Sequence, residues 1–135
     1  MELTFTTPGL AHHLARAAET SEETGAVVGA GTVLTAGDAR TAVDSGAQFL
    51  VTPGVGPDAA DIVRAAHAAD VPVVLGALTP SEVMTPSEVM TAVALGADAV
   101  KIFPAHRFGP GYLKDLRGLA VSTCFGPGFS GARSD

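Results

Sequence analysis

Tryptophan is absent from the 135 residues, and cysteine and tyrosine occur once each. The lone Cys124 excludes an intrachain disulfide and every multi-cysteine zinc pattern, and it reads as a small buried hydrophobe. Basic side chains are scarce too, with 8 Lys and Arg against 14 Asp and Glu and a net charge of -6. Phosphate-backbone binding draws on clustered cations, and these are scattered, so no nucleic acid partner is expected. No apolar run approaches the roughly 18 to 20 residues that span a bilayer, so no membrane partner is expected either. Glu2 directly follows Met1, without the basic segment and apolar stretch of a secretory signal, which makes the cytoplasm the expected compartment. What is present is 47% hydrophobic and 16% charged, the balance of a folded chain, at a length that suits one domain.

Short β-branched apolar runs recur at Leu3 to Thr6, Ala26 to Val33, Gln48 to Thr52, Val71 to Leu75 and Asp98 to Phe103, and these predict strands. Between them, Pro8 to Glu19, Ala36 to Ser45, Asp58 to Ala68 and Pro80 to Leu95 are alanine-rich, with apolar residues three and four apart, and these predict helices. Alternation of this kind is the mark of successive βα units on a parallel sheet, and strands as uniformly apolar as Val71 to Leu75 suit a sheet covered on both faces. The fold class is therefore α/β, a barrel or a doubly wound sheet. Gly25, Gly46 and Gly96 each stand just before a strand, where a left-handed residue closes the preceding helix.

One segment breaks the rhythm. Thr79-Pro80-Ser81-Glu82-Val83-Met84 is repeated at once as Thr85-Pro86-Ser87-Glu88-Val89-Met90, and each copy carries the Thr cap, first-turn Pro and Glu of a helix start. Six residues are about 1.7 helical turns, so an insertion within the helix would rotate its apolar face by roughly 240°. Pro86 inside a continuous helix would also cost about 3 kcal/mol, which predicts a break there and an insertion at the N-terminal end. Beyond Gly118 the chain is rich in turn residues; Leu119 to Phe125 offers a sixth strand, and the segment as a whole reads as a loose tail.

Chemistry is sought where a buried strand carries a polar group. Lys101 interrupts Ala99-Val100-Lys101-Ile102-Phe103-Pro104, and taking an ammonium group out of water is costly unless it is paired or sheds its proton. As the free amine it can attack a ketone and form a Schiff base, an electron sink for breaking a neighbouring carbon-carbon bond. A lysine snorkelling from a strand end is the other reading of the same position. Glu2, partly buried at the start of a strand, would suit removing and returning protons during such chemistry. Gly29 and Gly31 lack the third glycine of a dinucleotide fingerprint; they suit a close approach by ligand or neighbouring strand, leaving the Thr32 hydroxyl at the strand's carboxyl end. His12 and His13 lack the spacing of a metal pair, and His67 and His106 stand isolated.

Four segments together, Glu2 to Gly9, Val28-Gly29-Ala30-Gly31-Thr32-Val33-Leu34, Phe49-Leu50-Val51-Thr52-Pro53-Gly54 and Val100-Lys101-Ile102-Phe103-Pro104-Ala105, resemble the KDPG/KHG aldolase family in content and in order. The resemblance implies a class I aldolase on a (β/α)8 barrel. Such an enzyme cleaves 2-dehydro-3-deoxy-6-phosphogluconate (KDPG) or 4-hydroxy-2-oxoglutarate (KHG) to pyruvate and an aldehyde, with no metal or other cofactor, and typically assembles as a trimer. Lys101 would carry the imine, Glu2 would be the general acid and base, the Thr32 hydroxyl would line the keto-acid pocket, and Pro53 and Phe103 would wall it. Thr6 stands where some members place an arginine on the substrate carboxylate, and Leu75 where a proline is common.

The likeness runs from Glu2 to about Arg117, which sets the expected division into a partial barrel domain over 1–117 and a divergent tail over 118–135. A (β/α)8 barrel takes at least about 200 residues. By that resemblance the family's first βα unit, expected before Glu2, and its last two strands, whose loops bind substrate phosphate in relatives, are missing, and the chain reads as truncated at both ends. Two functions remain open: an aldolase, and a catalytically inactive partial barrel acting at most through oligomerisation.

Overall fold

The computed structural model describes residues 1–77, 86–102 and 123–125. Six strands, β1 (Glu2–Thr4), β2 (Gly29–Gly31), β3 (Leu50–Val51), β4 (Val73–Gly76), β5 (Ala99–Ile102) and β6 (Thr123–Phe125), form one sheet. Helices α1 (Leu10–Thr24), α2 (Ala36–Asp44), α3 (Ala59–His67) and α4 (Pro86–Ala94) occupy the first four gaps. Every strand pairs in parallel with the next, so the sheet order is the chain order from β1 to β6. A doubly wound sheet reverses its order at a switch point, whereas an unbroken progression is the order of a (β/α)8 barrel. The fold is thus an arc of barrel, as the partial-barrel expectation requires.

The two faces of the arc differ. On one, Ala30, Leu50, Val73, Leu75, Val100 and Ile102 pack with Leu14 of α1, Ala42 of α2, Ile62 of α3 and Val89 of α4 in a single core. Ala39, Ala42, Ala59, Ala66 and Ala92 are buried at the helix positions, where a short side chain lies close to the sheet and loses no rotamer entropy. The other, concave face takes the alternate strand residues, among them Glu2, Gly31, Val51, Gly76 and Lys101.

Element ends follow local chemistry. Helix α1 runs to Thr24, five residues past the end expected from its apolar spacing. Its last turns are polar but self-satisfied: Ser21 donates its hydroxyl to the Ala18 carbonyl at 2.7 Å, and Thr24 to that of Thr20 at 2.9 Å. Gly25 then closes it with φ 70 and its N–H on Ser21 O; Gly46 and Gly96 also have positive φ, as expected. A capping box starts α2, with Thr35 Oγ1 accepting from Asp38 N and Asp38 Oδ2 accepting from Thr35 N, both at 3.0 Å. Helix α4 is described over Pro86–Ala94, from within the second copy of the duplicated hexapeptide, and the break expected before Pro86 falls on residues outside those described. The first copy lies outside the described residues.

The strands are shorter than their apolar runs. Strand β1 ends in a turn that returns Thr7 N to Thr4 O at 2.9 Å, and β2 ends where Thr32 takes φ 58. Strand β6 falls within the Leu119 to Phe125 run and aligns Cys124 with Lys101; the rest of 118–135 lies outside the described residues. Among the described residues, no helix is long and apolar enough to cross a membrane.

Candidate active site

Lys101 is the third of the four residues of β5, half-buried, between Val100 and Ile102, which turn to the core and are 1% exposed. Alternation in a strand therefore sends Lys101 to the concave face. It is aligned with Gly76 of β4 and Cys124 of β6, and its carbonyl accepts from Ala77 N at 3.0 Å.

The residues beside Lys101 explain why its neighbour has no side chain. A Cβ at Gly76 would lie 2.3 Å from the Pro53 carbonyl oxygen and 2.7 Å from Gly54 N. The turn after β3 thus folds over the end of β4, and only glycine admits it. Thr52 fastens this turn: its hydroxyl donates to Gly54 O at 3.0 Å and accepts from Gly76 N at 3.1 Å.

Register gathers several expected site residues. Thr4 is aligned with Gly31, Ala30 with Leu50, Val51 with Val74, and Gly76 with Lys101. Counted along that register, Thr6, Pro53, Gly76 and Lys101 stand at one level at the carboxyl ends of the strands, the end where barrel sites collect. Thr6 is exposed and shares a 2.6 Å hydroxyl contact with Thr4. Pro53 is also exposed.

Glu2 lies on the same concave face with three strands between it and Lys101. Its backbone is aligned with Gly29, but its side chain leans along the sheet toward the carboxyl end. A Cβ at Gly31 would meet Glu2 Oε1 at 1.9 Å and Cδ at 2.7 Å. The carboxylate is exposed rather than partly buried as expected, because the adjoining strand offers it only the glycines of Gly29–Gly31 and Ala30, whose methyl turns to the core.

Thr32 is one of two non-glycine residues with positive φ among those described, at 58°. A β-branched residue there stores about 1–3 kcal/mol and persists only where its flanks are fixed. They are: Gly31 O accepts from Phe5 N and Val33 N donates to Val51 O, both at 3.1 Å. Phe103 lies outside the described residues.

Sequence reasoning stopped short at two places. Thr52-Pro53-Gly54 reads as a strand end of the kind where sites collect, but a role is expected there for Pro53 alone, although a threonine ending an apolar strand signals a buried hydroxyl that must find partners. His67 also reads as isolated, which the structure corrects. His67 Nε2 lies 2.8 Å from Asp98 Oδ2, a contact between residues 31 positions apart that only the folded sheet brings together. Asp98 Oδ2 also accepts from Val73 N at 2.8 Å. Burial opposes the charge on Asp98, but the Val73 N–H and the His67 ring outweigh it and hold the carboxyl below its usual range. This cluster lies at the amino end of β4 and β5, away from Lys101, and belongs to the frame rather than the site.

Comparison with known proteins agrees with this geometry. A family model described as KDPG and KHG aldolase matches residues 1–128. The 2-dehydro-3-deoxy-6-phosphogalactonate aldolase of Escherichia coli is 35% identical over 97 residues, covering 72% of this chain and 43% of the relative. The 2-dehydro-3-deoxy-phosphogluconate aldolase of Treponema pallidum is 37% identical over 109 residues, covering 81% of this chain and 47% of the relative. The chain thus spans less than half the length of these curated relatives. Among solved structures, KDPG aldolase from Legionella pneumophila, with pyruvate captured as a covalent carbinolamine intermediate, superposes with a TM-score of 0.74 at 29% identity, covering 95% of this chain and 58% of that one. With a lysine on the concave face of a parallel barrel arc and a family match over nearly its whole length, the chain belongs to the KDPG and KHG aldolase family.

Proposed function

We propose that the chain is a class I aldolase that forms a Schiff base between Lys101 and a 2-keto acid, cleaving KDPG or KHG to pyruvate and an aldehyde. The observation that carries this reading is the placement of Lys101 on the concave face, level with Gly76 under the Pro53 turn, with the Glu2 carboxylate on the same face. The amine of Lys101 adds to the C2 ketone and the oxygen leaves as water, giving an iminium. Loss of the C4 hydroxyl proton breaks the C3–C4 bond, the aldehyde departs, and the bonding electrons enter the iminium to give an enamine. Glu2 carries the proton from the hydroxyl and delivers it to C3 of the enamine, and water then hydrolyses the imine to free pyruvate and lysine.

Thr32 is proposed to hydrogen-bond the keto acid with its hydroxyl, Pro53 and Phe103 to wall the pocket, and Thr6 to border the carboxylate end. The residues assigned these roles all fall within 1–117, which we read as the barrel portion, with 118–135 divergent apart from β6. A homo-oligomer, a trimer by family resemblance, would cover surface that is apolar and exposed here, such as Met90 and Val93 of α4.

Incubation with pyruvate followed by borohydride tests the reading, because hydride addition to the imine fixes a secondary amine that intact mass and peptide mapping locate. Attachment at Lys101, lost in Lys101→Met, is the expected result. A folded protein that takes no pyruvate would favour the second reading, a catalytically silent partial barrel, which the exposure of Glu2 supports.

A further inference from the structure

Thr52 and Ser21 are the polar residues buried among those described, and Thr52 is 1% exposed. Its neighbours in the ladder are regular up to this point: Leu50 N donates to Pro72 O at 2.9 Å and Thr52 N to Val74 O at 3.0 Å. In a regular parallel ladder the next bond would run from Gly76 N to the Thr52 carbonyl. Here Gly76 N donates to the Thr52 hydroxyl instead, at 3.1 Å, and the same hydroxyl donates to Gly54 O at 3.0 Å. The Thr52 side chain therefore takes the place of its own carbonyl as acceptor for the β4 N–H, and ties down the turn that follows β3. The single O–H donor of the hydroxyl is thus committed to Gly54 O, and one of its two lone pairs to Gly76 N.

We propose that Thr52 is a positioning residue for the Lys101 site, setting the distance between the Pro53-Gly54 turn and Gly76 and so the wall against which a keto acid meets the lysine. The inference rests on the Schiff-base reading of Lys101. It follows from three facts of placement. Gly76 is the β4 residue aligned with Lys101, the Pro53 carbonyl fills the space where a Gly76 side chain would stand, and the Thr52 hydroxyl is bonded to both sides of that contact. Because Thr52 acts through Pro53, Gly54 and Gly76, its loss changes how pyruvate is presented rather than which group reacts.

The test uses Thr52→Val, which keeps the shape and removes both hydrogen bonds, beside Thr52→Ser, which keeps both and removes a methyl group. The rate of borohydride-trapped pyruvate at Lys101 is measured against pyruvate concentration, well below each variant's melting transition. Thr52→Val is expected to trap roughly ten- to a hundred-fold more slowly at saturating pyruvate, as a misplaced but intact reacting group does. Thr52→Ser is expected within about two-fold of the parent even though its melting temperature falls with the lost packing. A folded Thr52→Val that traps at the parent rate overturns the positioning role and leaves the Schiff-base reading standing. A parent protein that takes no pyruvate overturns both. Should Thr52→Val fail to fold, Thr52→Ser decides alone: folded and slowed ten-fold, it overturns the role assigned to the hydroxyl, and at parent rate it upholds it.

Discussion

Gly31 is the residue where placement separates most cleanly from folding. A methyl group there would collide with the flexible end of Glu2, not with backbone, so Glu2 can swing aside with little loss of stability. Gly31→Ala is expected to cost less than about 1 kcal/mol in thermal unfolding. Trapping of pyruvate on Lys101 is expected to persist, whereas exchange of the pyruvate methyl protons in heavy water, which reads proton return to the enamine, is expected to slow by about a hundred-fold. Unchanged exchange would remove Glu2 from the proton-transfer role. Gly76 presents the opposite case, because a methyl group there meets the Pro53 and Gly54 backbone, which has no rotamer with which to yield.

Elements in this chain are legible to different depths, and their ends show why. The capping box of α2 is written out as Thr35-Ala36-Gly37-Asp38, and the helix begins where that pattern places it. Thr35→Ala is expected to lower stability by about 1 kcal/mol in denaturant unfolding; a change within error would mean that Asp38 alone holds the first turn. The end of α1 was not legible, because Thr20, Ser21 and Thr24 carry no apolar period and satisfy themselves along the helix. The end of β2 was not legible either, since nothing local announces that a β-branched Thr32 will adopt a left-handed conformation held by Phe5 and Val51. Lys101 and Glu2 stand out in the sequence because each places a charge in an apolar strand. Thr52 was passed over because its partners, Gly54 and Gly76, become visible only when β3 and β4 lie side by side.

At the scale of the whole molecule, the sheet is secured at both ends by polar fastenings of different kinds. At the amino end, Asp98 links the start of β5 to Val73 of β4 and to His67 of α3. Its carboxyl titrates lower when folded than when unfolded, so the stabilisation is complete above the unfolded value near 4 and is lost as pH falls toward the folded one. The stability difference between parent and Asp98→Asn is therefore expected to be full at pH 6 to 7 and to shrink below about pH 4. A difference that stayed constant across that range would show that the carboxylate charge is not what the contact uses. With side-chain exposures of 41% for His67 and 46% for Asp98, solvent screens the pair, and added salt is expected to reduce the effect.

The left-handed Thr32 also bears on how such a protein can be improved. Asparagine tolerates that backbone conformation far better than threonine, so Thr32→Asn releases strain that the native chain carries permanently. A library selected for heat resistance alone would drift away from threonine at this site. If Thr32 holds the keto acid as proposed, a library selected for turnover would keep it, and the two selections would part at a single codon.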